Sequence, residues 1–366
     1  MKKLGLGIVI AGATVLQACT SGNDLLDKMN DFDQGPMLEN IGSSIILPAY
    51  QSLAKESESL DVAIQSLVSG PSEENLIAAR TALKSTRLAW QACTPYQFGP
   101  AESINLSGVL NIYPVDTLQI ENNIESGSYD LTTISNADAR GFQSLGYLLY
   151  TPGLTDAEIV SSITANRGRY LQDIANEIAL ASATVYQEWN VQGGNYLAEF
   201  TSEDAYGVNV GSSVGKLVNA MNKDFERNSR DGKIGIPVGI RTLGEPVFHA
   251  IEAYYAGYSV ELLQANIDAY HKLYEGNDNV GIEEYLKAIQ ATTTDNTDLS
   301  EKINAQFSSI ETAANALSDP LVEQIENDKT AVELVFAEMH RLVVMFKTEM
   351  ASSMGVVITY QDNDGD

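Results

Sequence analysis

Apolar residues recur at helical spacing along nearly the whole chain, and almost nowhere with the alternation that a sheet requires. Leu53, Leu60, Ile64 and Leu67 fall on one helix face, which Gly70-Pro71 ends. Ser72 is placed to cap a second helix carrying Leu76, Ala79, Leu83 and Trp90 on one side. Further helices are expected at about 137–150, 155–188, 203–226, 245–256 and 282–291. Ser259 reads as the cap, and Gly276 as the stop, of a helix with Leu262, Leu263, Ile267, Tyr270 and Leu273 inside. Residues 298–317 and a last long helix starting at Pro320 complete the series. Period-two patterning is confined to Val356–Tyr360, a short extended tail. The fold class is therefore all-α. The reading is two helical bundles, 37–195 and 196–355, with the boundary near 190–205 and an acidic tail over 356–366.

Two stretches depart from helix. Residues 99–135 combine Gly, Pro, Asn and Ser with weak periodicity, an irregular excursion of the kind that often carries function. Arg230–Pro237, with Gly232 and Gly235, reads as a turn and loop.

The N-terminus has the layout of a secretory signal: Lys2-Lys3, an apolar run from Leu4 to Val15, then Leu16-Gln17-Ala18-Cys19. The apolar run is shorter than the roughly 20 residues that span a bilayer. A small residue followed by cysteine resembles a bacterial lipobox, which implies cleavage before Cys19 and acylation there. A plain signal cut near Ala18 is the alternative. Residues 19–36 are polar and read as a tether. Acylation would fix the protein stably to a membrane of the bacterial cell envelope, with the outer membrane expected, because two acyl chains already suffice.

Removing 18 of 366 residues leaves 348, and loss of two lysines takes the formal charge from −27 to −29. So acidic a chain repels phosphate backbones, and nucleic acid is not expected as a partner. It also repels anionic lipid, so the anchor and not a basic patch must hold it at a membrane. Cys93 is the only other cysteine, which leaves no pair for an intrachain disulfide once Cys19 is acylated. With three histidines in all, a structural zinc site is nearly excluded. The final Asp362-Asn363-Asp364-Gly365-Asp366 looks like the opening of a calcium loop without its later ligands, and reads as a solvated acidic end.

The sharpest chemical pattern is His249-Ala250-Ile251-Glu252. On a helix this spacing sets an imidazole beside a carboxylate, a pair that could hold a divalent cation, fix the histidine tautomer, or simply bridge two helices. Asp268, His271 and Glu275 share a helix face that reads as solvated. No Ser-His-Asp arrangement, phosphate loop or dinucleotide fingerprint is present.

Several stretches in order resemble the imelysin-like family of bacterial envelope proteins. They are Arg87-Leu88-Ala89-Trp90 with Tyr96–Pro100, Arg140-Gly141-Phe142-Gln143-Ser144-Leu145-Gly146 with Tyr147–Tyr150, Gly232–Pro237, and Glu252–Ser259. The resemblance covers about 37–366. It implies two helical-bundle domains of related architecture. It also implies a place among proteins linked to iron uptake or described as metallopeptidases. The family signature is Gly-x-His-x-x-Glu. Here Gly141 is kept, but Gln143 stands for the histidine and Gly146 for the glutamate. A glutamate often found after the tryptophan is Thr94 in this chain. Gln143 can hydrogen-bond but is no general base and a poor metal ligand. Phe142–Gly146 aligns with Phe248–Glu252 at an offset of 106 residues. If the halves are pseudo-repeats, His249 and Glu252 would carry in the second copy what the first has lost.

The resulting expectation is a lipid-anchored envelope binding protein linked to iron or metal uptake, without peptidase activity. Its small ligand would sit between the bundles near Trp90, Thr94, Phe98, Gln143 and Tyr254. A metallopeptidase and a glycan- or protein-binding surface lipoprotein, which seventeen tyrosines would suit, are the alternatives.

Overall fold

The computed structural model describes residues 32–360; Cys19, the signal segment and the acidic end 361–366 lie outside them. The described chain is all-α, with no β-strand among its residues and one isolated bridge, Thr292 to Asp298. Helix α1 spans Gln34–Asn40, followed by a π-helical stretch Ile41–Ile46 and α2, Leu47–Ser69. Helical structure thus begins inside the expected tether. Met37, Leu38, Ile41 and Ile46 are fully buried, and that burial draws the segment into the core. Each such side chain contributes about 1.5–3 kcal/mol relative to exposure.

Helix α3, Glu73–Gln91, starts as expected, with the Ser72 hydroxyl accepting the Asn75 N–H. The excursion that follows contains short helices Pro100–Ser103, Leu106–Leu110 and Thr117–Ser126. Next come α4, Gly141–Leu149, and α5, Ala165–Trp189. Helix α6, Ser213–Asp224, is shorter than expected: Ser212 caps it, so residues 203–212 stay outside. It runs without a break into a π-helix, Phe225–Gly235, where a loop was expected. The glycines there do not break the helix; they allow close approach. A Cβ at Gly235 would stand 2.7 Å from the Phe336 ring.

Helix α7 is Ser259–Glu275, ended by Gly276 at φ 73°. Ser259 is not its cap. The Asp319 carboxylate accepts the Val260 and Glu261 N–H groups instead. Helix α8 is Leu299–Asn315. The expected last helix is broken at Asp328, whose carboxylate caps α9, Lys329–Val344. The tail 356–360 is not a strand, although the side-chain amide of Asn219 bonds Val357 and Thr359 as a strand neighbour would.

Helix α2 packs between α3 and α5, while α8 packs against α7 and α9, and α9 against the π-helix. Helix α3 also touches α7, and the buried apolar residues of both groups form one connected cluster. Cys93 sits fully buried in that cluster.

Candidate functional site

Arg87, Trp90 and Gln91 recur three and four residues apart at the end of α3 and share a face, which Thr94 extends from the 3-10 turn Thr94–Tyr96 that follows. That face meets the π-helix. The wider i→i+5 winding places residues four and five apart on one side, and Asp224, Asn228 and Lys233 line a cavity of about 490 Å³ there. Trp90, Thr94, Asn105, Ser107, Asn111 and Tyr113 supply the facing wall. Gly232 is needed where Tyr113 approaches: a Cβ would lie 3.0 Å from the phenol oxygen.

Behind this wall lies a closed polar network. Glu252, 2% exposed, is ion-paired in direct contact with Lys233, itself 5% exposed. The Lys233 ammonium also donates to Gln91 Oε1 at 2.8 Å, and Gln91 Nε2 donates to Glu252 Oε1 at 3.1 Å. Asn111 Nδ2 adds a second bond to that oxygen at 2.8 Å. Burial alone would raise the Glu252 carboxyl. Lys233, then Asn111 and Arg87, outweigh it and hold the group below its ordinary range.

Gln143 joins the same network. Its Nε2 donates to Asn111 Oδ1 at 3.0 Å, and its Oε1 accepts from Arg87 Nη2 at 3.0 Å and from the Ala253 N–H at 3.1 Å. Arg87 is fully buried, bonds the Phe142 carbonyl at 2.7 Å and passes over Gly146, where a Cβ would stand 3.1 Å from Nη2. Gly141 has φ 73°, and a Cβ would meet the Leu110 carbonyl oxygen at 2.5 Å. The backbone around Glu252 is also unusual. Ala253 has φ 56°, in the left-handed region, which costs an alanine about 1–3 kcal/mol.

The structure therefore brings Gln143 and Glu252 together through Asn111, although the offset of 106 residues pairs Gln143 with His249 and Glu252 with Gly146. It does not bring His249 to them. The helix expected over 245–256 is replaced by a 3-10 turn, Phe248–Ala250, and a run of turns. Ile251 is extended, so His249 is exposed while Glu252 points inward. Among the described residues no group of three His, Cys, Asp or Glu side chains is arranged to hold a metal. Trp90 and Thr94 line the cavity, Gln143 is bonded to the lining residue Asn111, and Gly146 lies beside Arg87. Phe98 belongs elsewhere, packed in the core against Trp189 and Phe200. Tyr254, 37% exposed, packs on Tyr255 outside the cavity. The sequence reading did not single out Arg87, Gln91, Asn111, Asp224 or Lys233 as site residues. Arg87 and Lys233 carried a signal, since both fall within the stretches that resemble the family.

The family model described as Imelysin matches residues 46–340. The chain belongs to the imelysin family. Iron-regulated protein A of Synechococcus elongatus is 20% identical over 345 residues, covering 92% of this chain and 89% of that protein. The fold is shared with a crystal structure described as an iron-regulated protein A precursor from Parabacteroides distasonis. Its TM-score is 0.73 at 18% identity, with 90% of this chain and 95% of that one covered. An imelysin-like protein from Psychrobacter arcticum gives a TM-score of 0.67 at 16% identity, covering 94% of this chain and all of the other. No described helix of this imelysin-family chain is long and apolar enough to cross a membrane.

Proposed function

We propose that this imelysin-family protein is a non-hydrolytic binding protein of the cell envelope, with a small organic ligand held in the cavity beside Trp90 and Lys233. One observation carries the reading. Where the family signature calls for an imidazole and a carboxylate, Gln143 is bonded to Arg87, the Arg87 guanidinium lies beside the bare Gly146, and the nearby carboxylate, Glu252, is ion-paired with Lys233. Metal-assisted hydrolysis needs an ion, a water activated on it and a free base, and these side chains are already committed to one another. The relatives described as iron-regulated support a role in iron or metal uptake. Such a role is served here by an organic ligand in place of a bare ion. The lipobox-like Leu16–Cys19 supports attachment through Cys19 to an envelope membrane, the outer membrane being our assignment.

The test is metal content together with peptide cleavage. Purified protein dialysed without chelator is expected to retain no stoichiometric iron or zinc and to cleave no peptide library. Chelator-sensitive turnover abolished by Glu252→Ala would overturn the proposal and favour a peptidase.

A further inference from the structure

The buried acids around the cavity differ in one respect. Glu252 has Lys233; Glu226 has Lys347 and Arg230; Asp231 has Arg230 and Arg241. Asp224, 5% exposed and on the cavity wall, takes its hydrogen bonds from neutral groups, and Lys233, in contact with Glu252, acts on it only as a more distant charge. Tyr270 donates its hydroxyl to Oδ2 at 2.5 Å, and Asn228 donates Nδ2 to Oδ1 at 2.6 Å. A carboxylate offers about four acceptor positions, so room for further donors remains on the cavity side. Burial accordingly pushes the Asp224 carboxyl up. A buried carboxylate with no cation in contact is costly, and a cation bound against it reduces that cost.

We infer that the cavity binds a small organic molecule through a positively charged amino group seated against Asp224; this rests on the reading of the cavity as a ligand site. An ammonium has three donors. The Asp224 carboxylate and neutral oxygens such as those of Thr94 and Asn228 match that demand. Trp90 on the facing wall offers an aromatic surface to the cation. The two positive side chains of the wall do not oppose this arrangement. The Lys233 charge is matched by Glu252 in contact, and the Arg227 guanidinium lies over the Tyr360 ring, 5.5 Å from its centre. A bare divalent ion is a poorer match. A hard cation such as calcium takes six to eight oxygen ligands, carboxylates prominent among them, and Asp224 is the one carboxylate among the described residues lining this cavity.

Saturation-transfer NMR and calorimetry at low salt would test this with matched probes: ethanolamine and lysine, glycerol and glucose, acetate and succinate. The amine-bearing probes should bind wild type, and Asp224→Asn should weaken them about tenfold or more, the loss of one charge-assisted contact. Ser107→Trp, at the cavity wall and away from the carboxylate, should block them while leaving Asp224 intact. Preferential binding of neutral or anionic probes, or amine binding unchanged in Asp224→Asn, would overturn the inference and leave the cavity reading standing. Failure of every probe class, or binding indifferent to Ser107→Trp, would overturn both. If Asp224→Asn does not fold, the charge ranking and the Ser107→Trp arm decide.

Discussion

Removing the ammonium from the buried network should expose how much the network depends on it. Lys233→Met keeps most of the stem volume and deletes the charge. Glu252 would then be 2% exposed with its ion partner gone, keeping bonds from Gln91 and Asn111. Breaking a buried pair from one side costs about 3–5 kcal/mol, and the two surviving amide bonds place this case near the lower end, at about 3 kcal/mol. Unfolding entropy of about 2.1 cal/mol/K per residue gives roughly 0.7 kcal/mol/K for a chain of this size, so Tm should fall by about 4 °C. The pH dependence gives a second signature. In wild type the Glu252 carboxyl is held low, so its contribution is present above the unfolded pKa and is lost as pH falls through the folded value. In Lys233→Met, burial without the cation raises the carboxyl instead. The deficit of the variant is then full at neutral pH and shrinks as acid protonates Glu252. Adding Glu252→Gln should recover much of the loss, because a neutral amide no longer needs a counter-charge. Calorimetry at pH 7.5 and pH 4.5 on the single and double variants checks each step. A Tm loss under about 1 °C, or a double variant no better than Lys233→Met, would refute the reasoning.

Two further outcomes follow from local geometry. Gly141→Ala should cost about 2 kcal/mol or more in chemical denaturation, because a left-handed φ of 73° combines with a Cβ set 2.5 Å from the Leu110 carbonyl oxygen. Tyr360→Phe removes the hydroxyl that Glu226 accepts at 2.8 Å, while Lys347 and Arg230 remain as partners of that acid. The loss should be about 1.5 kcal/mol, with faster amide exchange confined to the 356–360 segment.

The fold was largely legible because burial and helical spacing coincide. Leu53, Leu60, Ile64, Leu67, Leu76, Ala79 and Leu83 were read as one-sided stripes, and each is fully buried. The failures share a cause: polar or glycine residues that read as surface or breakers are satisfied by distant partners. Arg230 and Lys233 looked like loop residues, yet one pairs with Asp231 and the other reaches Gln91 and Glu252. Ser259 looked like a cap, but Asp319, far along the chain, does that work and leaves the Ser259 hydroxyl to bond the Glu252 carbonyl. The site was legible only in part for the same reason. Trp90, Thr94, Gln143 and Glu252 carried local or family signals, whereas Asn111 and Asp224 acquire meaning only when the excursion and the π-helix meet across the cavity.

The departures from the family signature are coupled, which bears on how the site could be altered. Gly146 carries no side chain, and the Arg87 guanidinium fills the space beside it. Arg87 in turn orients Gln143 by donating to its Oε1, and Gln143 then donates to Asn111, which faces Glu252. A glutamate at 146 would therefore meet an arginine before it met any metal, and a histidine at 143 would have to displace that same contact. The carboxylate that remains, Glu252, has its charge matched by Lys233. Each substitution makes the next one consistent: an amide in place of the imidazole, a guanidinium over the missing carboxylate, an ammonium on the surviving one. The result is a wall whose internal charges are largely matched, with Asp224 the lining acid that has no cation in contact. A site of the family pattern would require changing Arg87 and Lys233 together with Gln143 and Gly146, whereas on the proposed reading the choice of ligand turns on Asp224.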